Sequence, residues 1–429
     1  MTVDKEYFLP ADYLERLENS FGAELRAARL ARHVSVRELA RRVHYCHSYV
    51  SKVENGVKPP TLKFARQCDE ALGLRGTLVD CFDGPATTTA PTWPRPNQLP
   101  PGPAHFVGRE TELACICAAL DDGEHQPGTV PVLVLDGPPG VGKSALALRW
   151  AHQNLEQFPD GVLYADLGGH SPVGAPAPPA EVLAAFCRSL GVSDALPPSE
   201  QQCSALLRSL LSGRRMLIVL DDALDTPQVR PLLPASPTCA VLVTSRRRLN
   251  GLSAREGARS VSVRPFDTAT AVALVRKIIG EQRANAEPEA VALLADRCGG
   301  LSLALRLAAE WIATQPGRST GELAAARSLL DELEVDDDPQ SALRSVLSGS
   351  WRRLSRRTAL VFRRLGEHRC TEFDETTVAL VAGVCTGQAA VAVRQLLATN
   401  LIEPAGAGRY RMLELVGLYA NELAVTAGG

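Results

Sequence analysis

Lysine is almost missing from this chain: of its 46 basic residues, 6 are Lys and 40 are Arg. That skew, beside abundant Ala, Gly and Pro, reflects a GC-rich coding sequence rather than a physical requirement. No apolar run approaches the roughly 18 residues that a membrane span needs, so no membrane partner is expected. The first twenty residues, MTVDKEYFLPADYLERLENS, mix charge with apolar side chains and hold no continuous apolar core, so they are not expected to be a secretory signal. The expected compartment is the cytoplasm, at the nucleoid when DNA is bound. The 11 cysteines are scattered, odd in number and without metal-ligand spacing. Cys115 and Cys117 point away from each other on a helix, which favours small hydrophobes over ligands. No tetratricopeptide or other repeat is present.

A chain of 429 residues exceeds one hydrophobic core, so several domains are expected. The net charge of −2 conceals a division along the sequence. Residues 1–20, an N-terminal extension, hold 5 acids against 2 bases; residues 21–80 hold 11 bases against 6 acids, a net +5. A basic segment of domain size is the electrostatic footprint of a DNA-binding module or, alternatively, a solvated face.

Within 21–80, Phe21, Leu25, Ala28 and Leu30 recur at helical spacing, and a second helix opens at Ser35 with Glu38 three residues on, a capping box. After His44, Tyr45 and Cys46 a third helix runs from about His47 to Glu54 and stops at Asn55-Gly56. Two short helices joined by a tight turn make a helix-turn-helix. The stretch SVRELARRVHYCHSYVSKVENGVKPP resembles the Cro/repressor (XRE-type) family. The resemblance implies that the second helix of the pair enters the major groove, with His47, Ser48, Tyr49, Ser51 and Lys52 as base or phosphate contacts and Arg37, Arg41 and Lys58 on backbone phosphates. His44 and Cys46 depart from the family's usual turn glycine and Ser/Thr cap. A helix-turn-helix that has become a protein-interaction module is the alternative. Residues 84–104 read as a Pro-rich extended linker.

Residues 105–262 carry a nucleotide site. TVPVLVLDGPPGVGKSALALRWA is a buried strand, a glycine-rich turn and an amphipathic helix, and GPPGVGKS meets the G-x-x-x-x-G-K-[ST] pattern in the context that pattern requires. Gly137, Pro138, Pro139, Gly140, Val141, Gly142 and Ala145 shape a loop whose main-chain N–H groups face phosphate, Lys143 reaches the β/γ oxygens and Ser144 holds Mg²⁺. RRMLIVLDD supplies the acid-ended strand: Asp221 holds Mg²⁺ through water, and Asp222 either orients an attacking water or is an ordinary strand-end carboxylate. AVLVTSRRRL ends in Arg246, which either reads a γ-phosphate or belongs to a solvated arginine run.

Together these segments resemble the NB-ARC module of the STAND signal-transducing NTPases. The resemblance implies a five-stranded parallel sheet with helices on both faces, ATP or ADP as ligand, and a backbone at Val107, Gly108 and Arg109 that packs on adenine. It also implies a helical ARC subdomain over 263–330 and a winged-helix subdomain over 340–429. GGLSLAL matches the family's G-L-P-L-A-L, so Leu301 and Ser302 face the base, with Ser302 in place of proline. Met412, Leu413 and Glu414 stand where the family has Met-His-Asp.

The expected fold is therefore multidomain: an all-α helix-turn-helix domain, an α/β P-loop NTPase domain, and two regulatory subdomains. The expected function is an ATP/ADP-dependent regulator that binds double-stranded operator DNA, with catalysis, where present, slow and carried by Lys143, Asp222 and Arg246, and with homo-oligomers aligning the reading helices. A DNA-associated ATPase motor and a STAND defence protein whose N-terminal module binds protein are the alternatives.

Overall fold

A computed structural model describes residues 21–43, 45–55, 60–74, 76–80, 94–121, 129–171, 174–193, 195–315, 317–335 and 342–428. The chain divides into two units, Met1–Thr92 and Trp93–Gly429.

In the first unit the described helices are Phe21–Ala31, Val36–Arg42, His47–Glu54, Leu62–Leu72 and Thr77–Asp80. Leu25, Leu39, Val43, Val50, Val53, Phe64, Cys68 and Leu72 form their common core. Ser35 caps the second helix, accepting from the Glu38 N–H at 3.1 Å, but Glu38 turns its carboxylate to Arg41 and Arg42 instead of back to the cap. Half of the expected capping box is thus formed. The apolar count in the first helix also needs correcting. Leu30 is 55% exposed, and Arg29 takes the inward place, its guanidinium meeting Glu54 at 2.5 and 2.8 Å and the Val34 carbonyl at 2.8 Å.

The second unit is built on a parallel sheet in the order β2-β3-β4-β1-β5, with β1 Val132–Asp136, β2 Val162–Asp166, β3 Leu217–Ala223, β4 Ala240–Ser245 and β5 Arg259–Ser262. The continuous apolar runs in β1, β3 and β4 have a simple cause, since both faces of a parallel sheet are covered. Leu133, Leu135, Leu217, Val219 and Leu242 face one core, with Trp150 and Leu146 of the helix Lys143–Gln153. Val134, Ile218, Leu220, Val241 and Val243 face the other, against Phe186 and Leu207. Residues 94–98, expected in the linker, instead lie along β2: Asn97 bridges Val162, whose N–H donates to Pro96 O at 2.7 Å. Proline suits this edge, where only its carbonyl is needed. Residues 84–93 of that linker lie outside the described ones.

Among the described residues six helices follow between Thr268 and Glu332, then Leu343–Trp351, Arg356–Glu367, Glu375–Ala382, Thr386–Ala398 and Glu414–Gly428, with a small antiparallel sheet, β6 Glu372–Phe373, β7 Glu403–Gly406 and β8 Arg409–Arg411, in the order β6-β8-β7. The apolar core on the Trp150 face of the parallel sheet runs without a break into these helices through Leu301, Leu305, Leu347, Phe362, Met412 and Leu415. Among the described residues no single helix is long and apolar enough to cross a membrane.

Candidate nucleotide and DNA sites

The turn after β1 is folded by its glycines. Gly137, Gly140 and Gly142 have φ of 152°, 76° and 98°, and a β-carbon at 137 would stand 2.4 Å from Val263 O, one at 142 2.7 Å from Ser302 Oγ. Side chains are excluded here by both conformation and space. Lys143 opens the following helix, is buried, and donates to Gly137 O at 2.9 Å and Pro138 O at 2.8 Å. Burial, then the charge of Arg246, pushes its amine down to about 7, with Asp222, Asp221 and Asp136 opposing. A buried ammonium held so low is under-compensated, and a glycine-built cradle around it fits a polyanion.

The acid pair lies at the C-terminal end of β3, just before its last residue, Ala223. Asp221 accepts from the Thr244 hydroxyl and hydrogen-bonds Ser144, so the two residues expected at Mg²⁺ are in contact. Burial raises the Asp221 carboxyl, against those two hydrogen bonds. Asp222 has φ 47°, with its N–H on Thr244 Oγ1 at 2.9 Å. Its carboxylate accepts from the His170 N–H at 2.8 Å and from His170 Nδ1 at 3.0 Å, with Arg246 Nε 3.6 Å away. Burial works to raise this carboxyl, but His170 and Arg246 together hold it well below the usual carboxylate range. Burial lowers His170 in turn, against the pull of Asp222.

Arg246 does not extend into solvent with Arg247 and Arg248. It is 12% exposed at its side chain and donates to Val346 O and to Ser350 Oγ at 3.3 Å, both on the helix Leu343–Trp351. Burial lowers its guanidinium, with Asp222 and Asp221 opposing. The solvated-run alternative is thereby corrected: the helix supplies acceptors that draw the side chain inward.

A cleft lies beside the turn, lined by Val107, Arg109, Val141, Gly142, Ala145 and Ser302 of the expected set, and by Phe106, Phe266, Leu274 and Arg306, which were not among the expected contacts. Arg109 braces its wall, donating to Val141 O at 3.1 Å and Arg264 O at 2.7 Å and lying 4.1 Å over the Phe266 ring. Gly108 adopts φ 62° and would collide with Thr270 if it carried a β-carbon. Ser302 donates to Gly140 O at 3.2 Å, joined by the Leu303 N–H at 2.9 Å. Leu301 is buried beneath them. A second, larger cleft is lined by Gly137 and Pro138 together with Met412, Leu413 and Glu414, and Glu414 pairs with Arg297 at 3.1 Å. Pro139 is buried in the turn.

In the first unit, His47 and Ser48 are exposed, Ser51 and Lys52 half-buried, and Arg37 and Arg41 exposed; Lys58 lies outside the described residues. Tyr49, expected with them on the open side of the helix, is half-buried, as Ser51 and Lys52 are. Its ring stacks on Tyr45 at 4.9 Å and stands edge-on to Phe64 at 5.1 Å. The phenyl ring of Phe64, fully buried, provides the apolar wall that draws it in.

Residues 20–82 match the model of a helix-turn-helix domain and residues 105–255 that of an AAA ATPase domain. The chain is 39% identical over 382 residues to the regulatory protein AfsR of Streptomyces coelicolor, covering 86% of this chain and 37% of that protein. It is 37% identical over 336 residues to AfsR of Streptomyces griseus, covering 77% and 33%. The chain thus spans about a third of the length of the curated relatives it matches. Among solved structures, a Walker-type ATPase of Pyrococcus abyssi aligns with 14% identity and a TM-score of 0.47 over 73% of this chain and 96% of that one.

Proposed function

We propose that this chain, which belongs to the regulators joining a helix-turn-helix domain to a P-loop ATPase domain and has the AfsR regulatory proteins among its relatives, grips operator DNA with a strength set by adenine nucleotide. The reader is the helix His47–Glu54, with His47, Ser48, Ser51 and Lys52 toward the bases and Arg37 and Arg41 on phosphates. The adenine lies in the cleft of Val107, Arg109, Val141, Ala145 and Ser302, the phosphates on Gly137–Ala145, and Mg²⁺ on Ser144 and Asp221. The γ-phosphate supplies the charge that distinguishes ATP from ADP.

One observation carries this reading: Arg246, beside Asp222, takes its acceptors from the helix Leu343–Trp351. Charge at the phosphate end of the site therefore competes with a contact to the C-terminal helices, which read as the ARC and winged-helix subdomains. Their movement alters assembly. Two or more chains would place reading helices about 34 Å apart, one DNA turn, and raise affinity by avidity.

The test is binding of the full chain to fragments selected from a random-sequence pool, followed by fluorescence anisotropy with ATP, with ADP and without nucleotide. Affinities differing by about tenfold between ATP and ADP are expected, within the usual range of allosteric coupling. Equal affinities overturn the switch and leave the DNA reader; selection of no sequence overturns the reader.

A further inference from the structure

His170 belongs to no nucleotide motif, yet it occupies the acid that a hydrolytic water would need. It lies in the loop after β2, is 2% exposed, and meets Asp222 through two atoms, the main-chain N–H on Oδ2 at 2.8 Å and the ring on Oδ1 at 3.0 Å. A carboxylate only accepts, so Nδ1 carries the hydrogen. Arg246 Nε adds a third donor 3.6 Å from Oδ1. Both carboxylate oxygens thus face protein donors, whereas orienting water requires an oxygen turned to the water.

The same loop is pressed from its other side by the helix Leu343–Trp351. Gly349 lies so close that a β-carbon would stand 2.1 Å from His170 O, and Arg353, just past the helix, donates to Gly169 O at 3.2 Å. That helix also supplies both acceptors of Arg246 Nη1, and Asn400 holds the Arg246 carbonyl at 2.8 Å. One helix therefore fixes both residues, His170 and Arg246, whose donors cover Asp222.

We propose that His170 is a positioning residue through which the helix Leu343–Trp351 withholds Asp222 from ATP hydrolysis, an inference that rests on the nucleotide-site reading above. The step withheld is attack of water on the γ-phosphorus. A P–O bond forms to the water oxygen, the β,γ-bridging P–O bond breaks with its electron pair going to ADP, and the water proton passes by way of Asp222 to solvent. When the helix lifts, Gly349 and Arg353 release the loop, Arg246 loses its acceptors, and the His170 ring leaves Oδ1 open to water.

The experiment measures phosphate release by the full chain at a series of ATP concentrations with Mg²⁺, beside calorimetric binding of ATP. His170→Ala is expected to raise kcat about tenfold with KM within about twofold, the signature of a group acting on the chemical step and not on binding. His170→Asn, whose side-chain amide still donates, should bring kcat back toward that of the wild type. Gly349→Ala should raise kcat in the same direction by forcing the helix off the loop. Arg353→Ala, an exposed change that leaves the core intact, should do so more weakly, and it keeps the test valid if Gly349→Ala does not fold. A fall in kcat for His170→Ala at unchanged KM would mean that His170 orients Asp222 productively, which overturns the proposal. Unaltered kcat in Arg353→Ala together with unaltered kcat or misfolding in Gly349→Ala also overturns it, as does absence of hydrolysis in every variant with ATP binding intact. A wild-type chain that binds no ATP refutes the underlying site instead, and calorimetry tells the two failures apart.

Discussion

Arg29 and Glu54 meet as a two-pronged ion pair, Nε to Oε1 at 2.5 Å and Nη2 to Oε2 at 2.8 Å, with side chains only 8% and 5% exposed. The pair ties the helix Phe21–Ala31 to the end of the helix His47–Glu54. Removing one partner of such a pair strands the other charge, at a cost of about 3 to 5 kcal/mol. Glu54→Gln should therefore raise amide hydrogen exchange across His47–Glu54 by about a hundredfold or more, since each 1.4 kcal/mol is tenfold. Unchanged protection by mass spectrometry would show that the helices hold together without the pair.

A second prediction separates Tyr49 from Lys52 on the same helix. Tyr49→Ala should destabilise the unit by losing its contacts with Phe64 and Tyr45, while Tyr49→Phe keeps the ring packing and most of the DNA affinity. Lys52→Ala should cost about 1 to 3 kcal/mol in DNA binding if it contacts a base, with relaxed specificity at one position. Equal weakening on every sequence would assign Lys52 to phosphate. Fluorescence anisotropy on a panel of single-base operator variants makes the measurement.

The third concerns Lys143, the buried cation of the glycine turn. Lys143→Ala removes the ammonium from the phosphate end of the site, and affinity for both ATP and ADP should fall at least about tenfold, in line with a charge-assisted hydrogen bond of about 1.5 to 3 kcal/mol. DNA binding measured without nucleotide should be retained. Calorimetry that gives wild-type affinity for both nucleotides would remove Lys143 from the site.

The fourth concerns Leu413, which lines the larger cleft together with Gly137 and Pro138. Its aliphatic side chain makes no polar bond to a phosphate, so the ADP form should release nucleotide readily. Leu413→His should slow the release of a fluorescent ADP by about tenfold or more, the equivalent of one polar contact to phosphate. Equal release rates in wild type and variant would mean that closure depends on another contact.

Where local pattern and backbone geometry coincide, the amino-acid order alone was enough. The run VLVLD followed by GPPGVGKS specifies a strand, a turn that only glycine can follow and a helix start, because left-handed φ and steric exclusion act over a few residues. The helix His47–Glu54 and the acid-ended β3 were legible for the same reason, as was a parallel sheet buried on both faces.

Tertiary structure decided what depends on partners far along the chain. Helical period assigned Leu30 to the core, yet the neighbour offered to that helix is the Glu54 carboxylate, 25 residues beyond Arg29, so Arg29 turns inward and Leu30 outward. The packing of the Tyr49 ring on Phe64, 15 residues further along the chain, likewise had no local sign. Arg246 stands in a run of three arginines, and the carbonyl of Val346 and the hydroxyl of Ser350, 100 and 104 residues on, draw it inward, away from its neighbours. His170 lies in no pattern, since two hydrogen bonds to an acid 52 residues away leave no periodic trace in sequence. Periodicity records which face of an element is apolar; it does not record which distant polar group satisfies a buried one, and the cost of leaving such a group unsatisfied is what set these side chains in place.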